Sequence, residues 1–197
     1  MTPERRKRII DKHCDAWNRH GYSPNALYLS DTDIQQLRFR VLSAIIDQPQ
    51  YSLLDVGCGF GNLRDLNPAD NAFDYVLLSG ALNEKMNDDG SYAKSVIRRM
   101  YQCCRQSVAF NLLNRHDAYV AGRWDLQTFE PDEIVEFCQQ LGAACEVKDD
   151  YMENNFIVYL RKSALGKITK GWPDSNMSPA NLPITQLSEA TARKTAG

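Results

Sequence analysis

Residues 53–61, Leu-Leu-Asp-Val-Gly-Cys-Gly-Phe-Gly, are the stretch that decides the fold of this chain. An apolar run ends in an acid, Asp55, and then continues into glycines at every second position. This pattern predicts a buried parallel strand from Tyr51 to Val56 that turns sharply at its carboxyl end. Glycine tolerates the strained dihedrals of such a turn and lets the backbone approach a ligand closely. The stretch therefore predicts a nucleoside-binding turn; the alternative is a glycine-rich turn that binds nothing.

The glycine spacing separates two classes of nucleotide-binding fold. A dinucleotide-binding turn has the pattern Gly-x-Gly-x-x-Gly, whereas residues 57–61 have Gly-x-Gly-x-Gly preceded by Asp55. This variant resembles the first motif of the class I S-adenosylmethionine-dependent methyltransferases. The resemblance implies a Rossmann-like fold and S-adenosylmethionine as the cofactor.

The composition argues against nucleic acid, membranes and metal ions as binding partners. The 197 residues carry a net charge of −2, so no overall field attracts nucleic acid or an anionic membrane. The basic residues 5–8 are interpreted as a solvated helix face rather than a phosphate-binding site. No apolar run reaches the roughly 18 residues of a membrane span. The six cysteines and three histidines lack metal-ligand spacing, so we expect no metal site. These features are typical of a soluble, cytoplasmic protein.

Helical and strand patterns alternate along the chain. This alternation predicts an α/β fold, with a mostly parallel sheet covered on both faces and a closing antiparallel hairpin. One domain is predicted over 1–162, with N-terminal helices in 1–48 and the α/β core in 51–162. Residues 114–129 are predicted to be an irregular loop, and 163–197 a flexible tail. Helices are predicted over 3–20, 31–46, 91–106 and 130–142, and strands over 51–56, 73–79, 107–113, 144–151 and 155–161.

Further segments resemble one bacterial and archaeal methyltransferase subfamily, so that the similarity covers roughly residues 15–162. Residues 73–86 resemble the fourth motif of the family, and the closing hairpin resembles a methyltransferase sheet whose last strand is inserted antiparallel. The other similar segments are 21–42, 107–113 and 149–160.

One departure from the family pattern concerns the segment after the glycines. In the family, a helix and a strand ending in a ribose-binding acid follow the glycine turn, and then another helix and strand. Here only residues 62–72 separate Gly61 from Phe73. One further βαβ unit would need about 30 residues, so the sequence predicts a sheet shortened by these strands. Asp65 and Asp70 lie in this interval but are interpreted as solvated loop residues. We expect the uncovered sheet edge to favour a homodimer.

The resemblance assigns a set of cofactor-binding residues. Asp55 would organise the glycine turn, although it could simply cap the loop. Arg38 could pair with the cofactor carboxylate through its planar fork, or it could face solvent. Tyr28 would cover the site, and Asn83 would lie near the transferred methyl group or in an ordinary turn. The full set is Tyr28, Arg38, Asp55, Gly57, Cys58, Gly59, Phe60, Gly61, Ser79, Gly80 and Asn83.

Other residues are candidates for the acceptor side. Tyr119, Arg123 and Trp124 follow the third predicted strand and could shape an acceptor pocket, although loop aromatics often pack down. Methyl transfer mainly requires alignment of acceptor, methyl and sulfur. A general base is needed only for poor nucleophiles, and His116 and Asp117 are candidates for it.

Two functions are compatible with these features of the sequence. The first is methyl transfer to a small-molecule acceptor by in-line displacement. The second is a catalytically inactive, methyltransferase-like binding protein, because the ribose half of the cofactor pocket lacks its acid.

Overall fold

The computed structural model describes residues 3–21, 32–57 and 68–162. Part of the predicted cofactor set, the loop residue Asp65 and the predicted tail lie outside these ranges and stay predictions. The cofactor residues concerned are Tyr28, Cys58, Gly59, Phe60 and Gly61, and the tail is 163–197.

Five helices and six strands form the described part of the chain. The helices are α1 (Pro3–His20), α2 (Thr32–Ser43), α3 (Ser91–Cys103), α4 (Ala118–Ala121) and α5 (Pro131–Gln140). The strands are β1 (Leu53–Val56), β2 (Phe73–Leu78), β3 (Cys104–Asn114), β4 (Thr128–Phe129), β5 (Ala143–Lys148) and β6 (Asn155–Lys162).

The strands form one sheet in the order β1-β2-β3-β6-β5, and β4 pairs with the end of β3. Strands β1, β2 and β3 are parallel, whereas β6 runs antiparallel to both of its neighbours. This arrangement confirms the predicted α/β fold with a mostly parallel sheet. The last strand is inserted between β3 and β5, so β5 forms the edge on that side.

The opposite edge of the described sheet is β1. Among the described residues, β1 pairs with β2 and with no other strand. The order of the described strands is consistent with the shortened sheet that the short interval between the glycine turn and Phe73 predicts. The predicted dimerisation through this edge remains a prediction.

The two faces of the sheet bury different groups, since side chains alternate along a strand. On one face, Val76 and Phe110 pack in a core with Ile97 of α3 and Ile134 of α5. On the other face, Tyr159 of β6 donates a hydrogen bond to the backbone of α2 at 2.7 Å. The register Asp55–Leu77–Ala109–Tyr159 places all four residues on this α2 face.

The loop predicted over 114–129 is more ordered than expected. It contains α4, which Asp117 caps by accepting a 2.9 Å hydrogen bond from the Val120 amide. It also contains β4, which pairs with β3 at Leu113 and Asn114. A four-residue helix and a two-residue strand are too short to show a period in the sequence, so periodicity alone could not find them.

None of the described helices is both long enough and apolar enough to cross a membrane.

A charged network ties the amino ends of the first three strands together. The Asp74 carboxylate accepts hydrogen bonds from the Ser52 amide at 2.8 Å, the Ser52 hydroxyl at 2.7 Å and Arg105 Nε at 2.8 Å. These donors hold the pKa of Asp74 well below its usual range, with Arg105 the main cause. Asp74 therefore stabilises the fold only while it is ionised.

Asp74→Asn is expected to lower the free energy of unfolding at neutral pH by about 1–2 kcal/mol, a figure reduced for partial exposure. Because folding depresses the pKa, the contribution of the carboxylate is complete well above the unfolded pKa of about 4, and it is lost progressively as the pH falls from there towards the lowered folded pKa. Urea unfolding at about pH 7 and about pH 3 measures the difference between the variant and the wild type, which we expect to be smaller, though not zero, at about pH 3. A difference that grew as the pH fell would contradict this prediction.

Candidate active site

The first glycine of the motif lies where two strands end side by side. Gly57 follows β1 and has a φ of 78°, a conformation that favours glycine. A Cβ added there would lie 2.5 Å from the Cβ of Ala81, in the turn after β2. Gly57 is therefore required for two reasons, the backbone angle and the close approach of the two turns.

Asp55 lies on the α2 face of the edge strand. The residue keeps exposed surface, yet the protein packed around its carboxyl raises the pKa of Asp55 above its usual value. The predicted role of Asp55 in the turn remains a prediction.

Arg38 is a buried cation on α2. Only 8% of its surface is exposed, so the solvent-facing alternative is wrong. Its Nη1 lies 3.6 Å from the position that a Cβ on Gly80 would take, and its buried Nε has no hydrogen-bond partner. Burial lowers the pKa of Arg38, and the opposing influence comes from Tyr151 rather than from a carboxylate. Within the described ranges, no ion pair neutralises this guanidinium.

Two further polar atoms near Arg38 are buried. The hydroxyl of Tyr151, in the turn between β5 and β6, interacts with the Arg38 guanidinium, although no hydrogen bond of normal geometry joins them. Oδ1 of Asn83 is buried without a hydrogen bond. Burial raises the pKa of Tyr151 to about 12, although the nearby Arg38 opposes this shift. The tyrosine is therefore a neutral hydrogen-bond donor at physiological pH. A buried polar group without a partner costs about 1–3 kcal/mol, so Oδ1 of Asn83 and Nε of Arg38 are places for ligand atoms.

A chain of asparagine amides holds the turn after β2. The Gly80 amide donates a 2.7 Å hydrogen bond to Oδ1 of Asn111, and Nδ2 of Asn111 donates a 2.8 Å bond to Oδ1 of Asn155. Both asparagines are buried. The network fixes Gly80 in its left-handed conformation, with a φ of 72°, directly beside Arg38.

Sequence reasoning missed Asn111, Asn155 and Tyr151 as site residues. The available signal was an asparagine inside the otherwise apolar run 108–113, since a buried amide needs partners. Tyr151 gave no such signal, because a tyrosine in a turn is ordinary.

The predicted acceptor residues lie on the surface of the loop after β3. Trp124 is 81% exposed and Tyr119 is 69% exposed, so neither packs down onto the fold. Arg123 forms two hydrogen bonds with Asp125, at 2.9 and 3.0 Å. These side chains are accessible to a ligand, and their role in acceptor binding remains a prediction.

The two candidate bases are engaged locally. His116 Nε2 lies 2.6 Å from Oε2 of Glu130, and its side chain is 70% exposed. The Asp117 carboxylate caps α4. Their predicted role as general bases remains a prediction. In the described ranges, no group of three or more histidines, cysteines or acids could hold a metal ion.

A polar cluster lies on the α2 face, at the carboxyl ends of β2 and β3. Its members are Arg38, Tyr151 and Asn83. Open α/β sheets bind ligands at this edge. The cluster offers a planar guanidinium, a neutral hydroxyl and an amide oxygen. Such a set can bind a carboxylate and a hydrogen-bond donor together.

Comparison with known proteins gives the fold a context. No protein-family model matches the chain, and no curated protein matches its sequence. Solved structures do match. Magnesium protoporphyrin IX methyltransferase from Synechocystis PCC 6803, solved with bound SAH, is 9% identical and has a TM-score of 0.52. The match covers 78% of this chain and 94% of that chain. A SAM-dependent methyltransferase from Aquifex aeolicus is 12% identical, with a TM-score of 0.49, over 72% of this chain and 100% of that chain.

Proposed function

We propose that this chain, whose fold is that of the class I methyltransferases, binds S-adenosylmethionine and transfers its methyl group to a small-molecule acceptor. The observation that carries the proposal is the buried guanidinium of Arg38, beside the carboxyl end of β2, which has no counter-ion among the residues that the structure describes. Burying an unpaired charge is costly unless an anion meets it. The carboxylate of the cofactor is such an anion.

The described residues fit the methionine end of this cofactor. A Cβ added at Gly57 would lie 2.5 Å from the Cβ of Ala81, and one added at the neighbouring Gly80 would lie 3.6 Å from Arg38 Nη1. The glycine turn and the guanidinium therefore lie close together. If the carboxylate of a ligand contacts Arg38, the ligand atoms next to that carboxylate would therefore lie beside the glycine turn. The turn itself admits close backbone approach because Gly57 has no side chain.

The chemistry of the reaction would come from the cofactor, whose sulfonium carries a transferable methyl group. Arg38 would hold the carboxylate, and the end of β2 with Ser79, Gly80 and Asn83 would line the region of the methyl group. Tyr119, Arg123 and Trp124 would contact the acceptor. Tyr151, whose pKa is raised to about 12, is neutral at physiological pH and would donate a hydrogen bond.

The second function, a binding protein without catalysis, is favoured by one observation. Strand β1 is the edge of the described sheet, and residues 57–72 alone connect it to β2. The connection leaves no room for the strand that carries the ribose-binding acid in the family. Such a chain would hold the cofactor weakly and without the alignment that transfer requires.

Calorimetric titration of S-adenosylmethionine and S-adenosylhomocysteine into the 197-residue chain tests the proposal. We expect both to bind with dissociation constants of about 1–100 μM. Methylation of members of a small-molecule panel, followed by mass spectrometry, then separates the enzyme from the binding protein. A folded, monodisperse sample that binds neither ligand would overturn the proposed function.

A further inference from the structure

Two thiols meet where α5 packs against β5. Cys138 belongs to the core-facing stripe of α5, which recurs at helical spacing, and Cys145 belongs to the alternate residues of β5 that face the same core. The chain reverses between the two elements at Gly142, which has a φ of 78°. The members of the two stripes are Ile134, Phe137, Cys138 and Leu141 before the reversal and Ala143, Cys145 and Val147 after it.

The two thiols are joined by a hydrogen bond in which Cys138 is the donor. This bond lowers the pKa of Cys145, although burial and the nearby Glu146 oppose the shift. The same bond, together with burial, raises the pKa of Cys138. Cys138 is completely buried, whereas Cys145 keeps part of its surface exposed. Cys145 is therefore the more reactive thiol, and Cys138 lies directly behind it.

We propose that Cys138 and Cys145 are an oxidisable dithiol, which a hydroperoxide converts to a disulfide between α5 and β5. This inference goes beyond the proposed function and does not rest on it, since both cysteines lie on the face of the sheet opposite α2. The alternative is that the two cysteines only fill the core as small apolar side chains.

The reaction consumes one peroxide and releases two waters. The Cys145 sulfur attacks a peroxide oxygen, so a sulfur–oxygen bond forms, the oxygen–oxygen bond breaks, and the departing hydroxide takes up the thiol proton. The Cys145 sulfur is thereby oxidised to a sulfenic acid, and the peroxide is reduced. The Cys138 sulfur then attacks the Cys145 sulfur, and the hydroxide that leaves takes the Cys138 proton. The sulfurs begin in hydrogen-bond contact, so they need only approach to the roughly 2.0 Å of a disulfide.

The test treats the reduced, folded 197-residue chain with hydrogen peroxide until the exposed Cys14 is oxidised, which shows that the oxidant is active. The chain is then unfolded, alkylated and digested with trypsin. Cleavage after Arg123 and Lys148 releases the peptide 124–148, whose only cysteines are Cys138 and Cys145. We expect this peptide to resist alkylation and to be lighter by the mass of two hydrogen atoms. Dithiothreitol is expected to reverse both changes.

An internal control comes from a second pair of cysteines. The tryptic peptide 100–105 carries Cys103 and Cys104, which are both buried. Burial raises the pKa of each, that of Cys104 to about 11. We expect this peptide to stay reduced, because neither thiol is activated.

Two variants assign the order of the steps. In Cys138→Ser, we expect the Cys145 sulfenic acid to persist and to be trapped by dimedone. In Cys145→Ser, we expect Cys138 to remain a thiol, because it is completely buried. Cys14→Ser is the matched control and is expected to form the disulfide at the wild-type rate. Thermal unfolding shows whether each variant is folded.

The wild-type chain decides the inference whether or not the variants fold. We expect the disulfide to form at least about 10-fold faster in the native chain than in urea, because the fold holds the two thiols in contact. A peptide 124–148 that remains fully alkylated after Cys14 is oxidised would mean that the pair only packs the core. Formation that is no faster in the native chain than in urea would also overturn the inference.

Discussion

Arg38→Met is expected to abolish binding of S-adenosylhomocysteine and, at the same time, to stabilise the ligand-free chain. The loss of binding follows because the methionine side chain cannot hold a carboxylate. Two charge-assisted hydrogen bonds are worth about 3–6 kcal/mol together, so we expect the affinity to fall by more than about 100-fold. The gain in stability follows because the wild-type protein buries a cation that no described carboxylate neutralises. An apolar side chain of similar length removes that cost, and we expect about 1–3 kcal/mol.

Calorimetry measures the first effect, and urea unfolding without ligand measures the second. Arg40→Met is the matched control, because it makes the same chemical change two residues further along α2, at a residue outside the cluster. We expect it to leave affinity unchanged. A variant at Arg38 that is less stable than the wild type and still binds would show that the guanidinium is a structural group. Arg38→Lys separates charge from geometry, since lysine keeps the charge and loses the planar fork.

Gly57→Ala is expected to destabilise the fold and to disrupt the cofactor turn. The alanine would have to adopt a φ of 78°, which costs about 1–2 kcal/mol. Its Cβ would also lie 2.5 Å from that of Ala81, and relieving such an overlap adds about 1–3 kcal/mol. Since the ends of β1 and β2 must move apart, we expect binding of S-adenosylhomocysteine to be lost with the stability.

Two matched variants divide this cost into its parts. Gly142→Ala has the same φ of 78° but nothing within 4 Å of the added Cβ, so it reports the backbone strain alone. Ala81→Gly, combined with Gly57→Ala, removes the overlap and is expected to restore about half of the lost stability, as a double-mutant cycle in urea would measure. Equal effects of Gly57→Ala and Gly142→Ala would mean that the contact with Ala81 is unimportant.

The sequence predicted the fold more fully than the site, because the fold is signalled by residues that are close together along the chain. The strand before Gly57 and the alternation of helices and strands are local signals, and they lead to the sheet that the structure shows. The shortened sheet also follows from chain length, because residues 57–72 cannot hold another βαβ unit. These predictions need no knowledge of which residues meet in space.

The site depends on contacts between distant residues. Arg38 is 113 residues from Tyr151 along the chain, so its burial depends on how α2 lies on the sheet. The role of Asn111 depends on strand alternation, which places it on the α2 face beside the turn of Gly80. Asp117 illustrates the converse. Its charge suggested a base, whereas the local geometry uses the carboxylate to cap a helix that is too short to predict.

The place of β1 in the sheet also bears on how the molecule moves. Strand β3 is hydrogen-bonded along both sides, whereas β1 is bonded to β2 alone among the described strands. Amide protons of β1 are therefore expected to exchange with solvent through local opening, and those of β3 through unfolding of the whole sheet. The glycine turn extends from an edge strand, while Gly80 and Asn111 belong to the ends of β2 and β3, which are paired on both sides. A ligand that contacts both would slow exchange in β1, and its affinity would include the free energy needed to keep that edge closed.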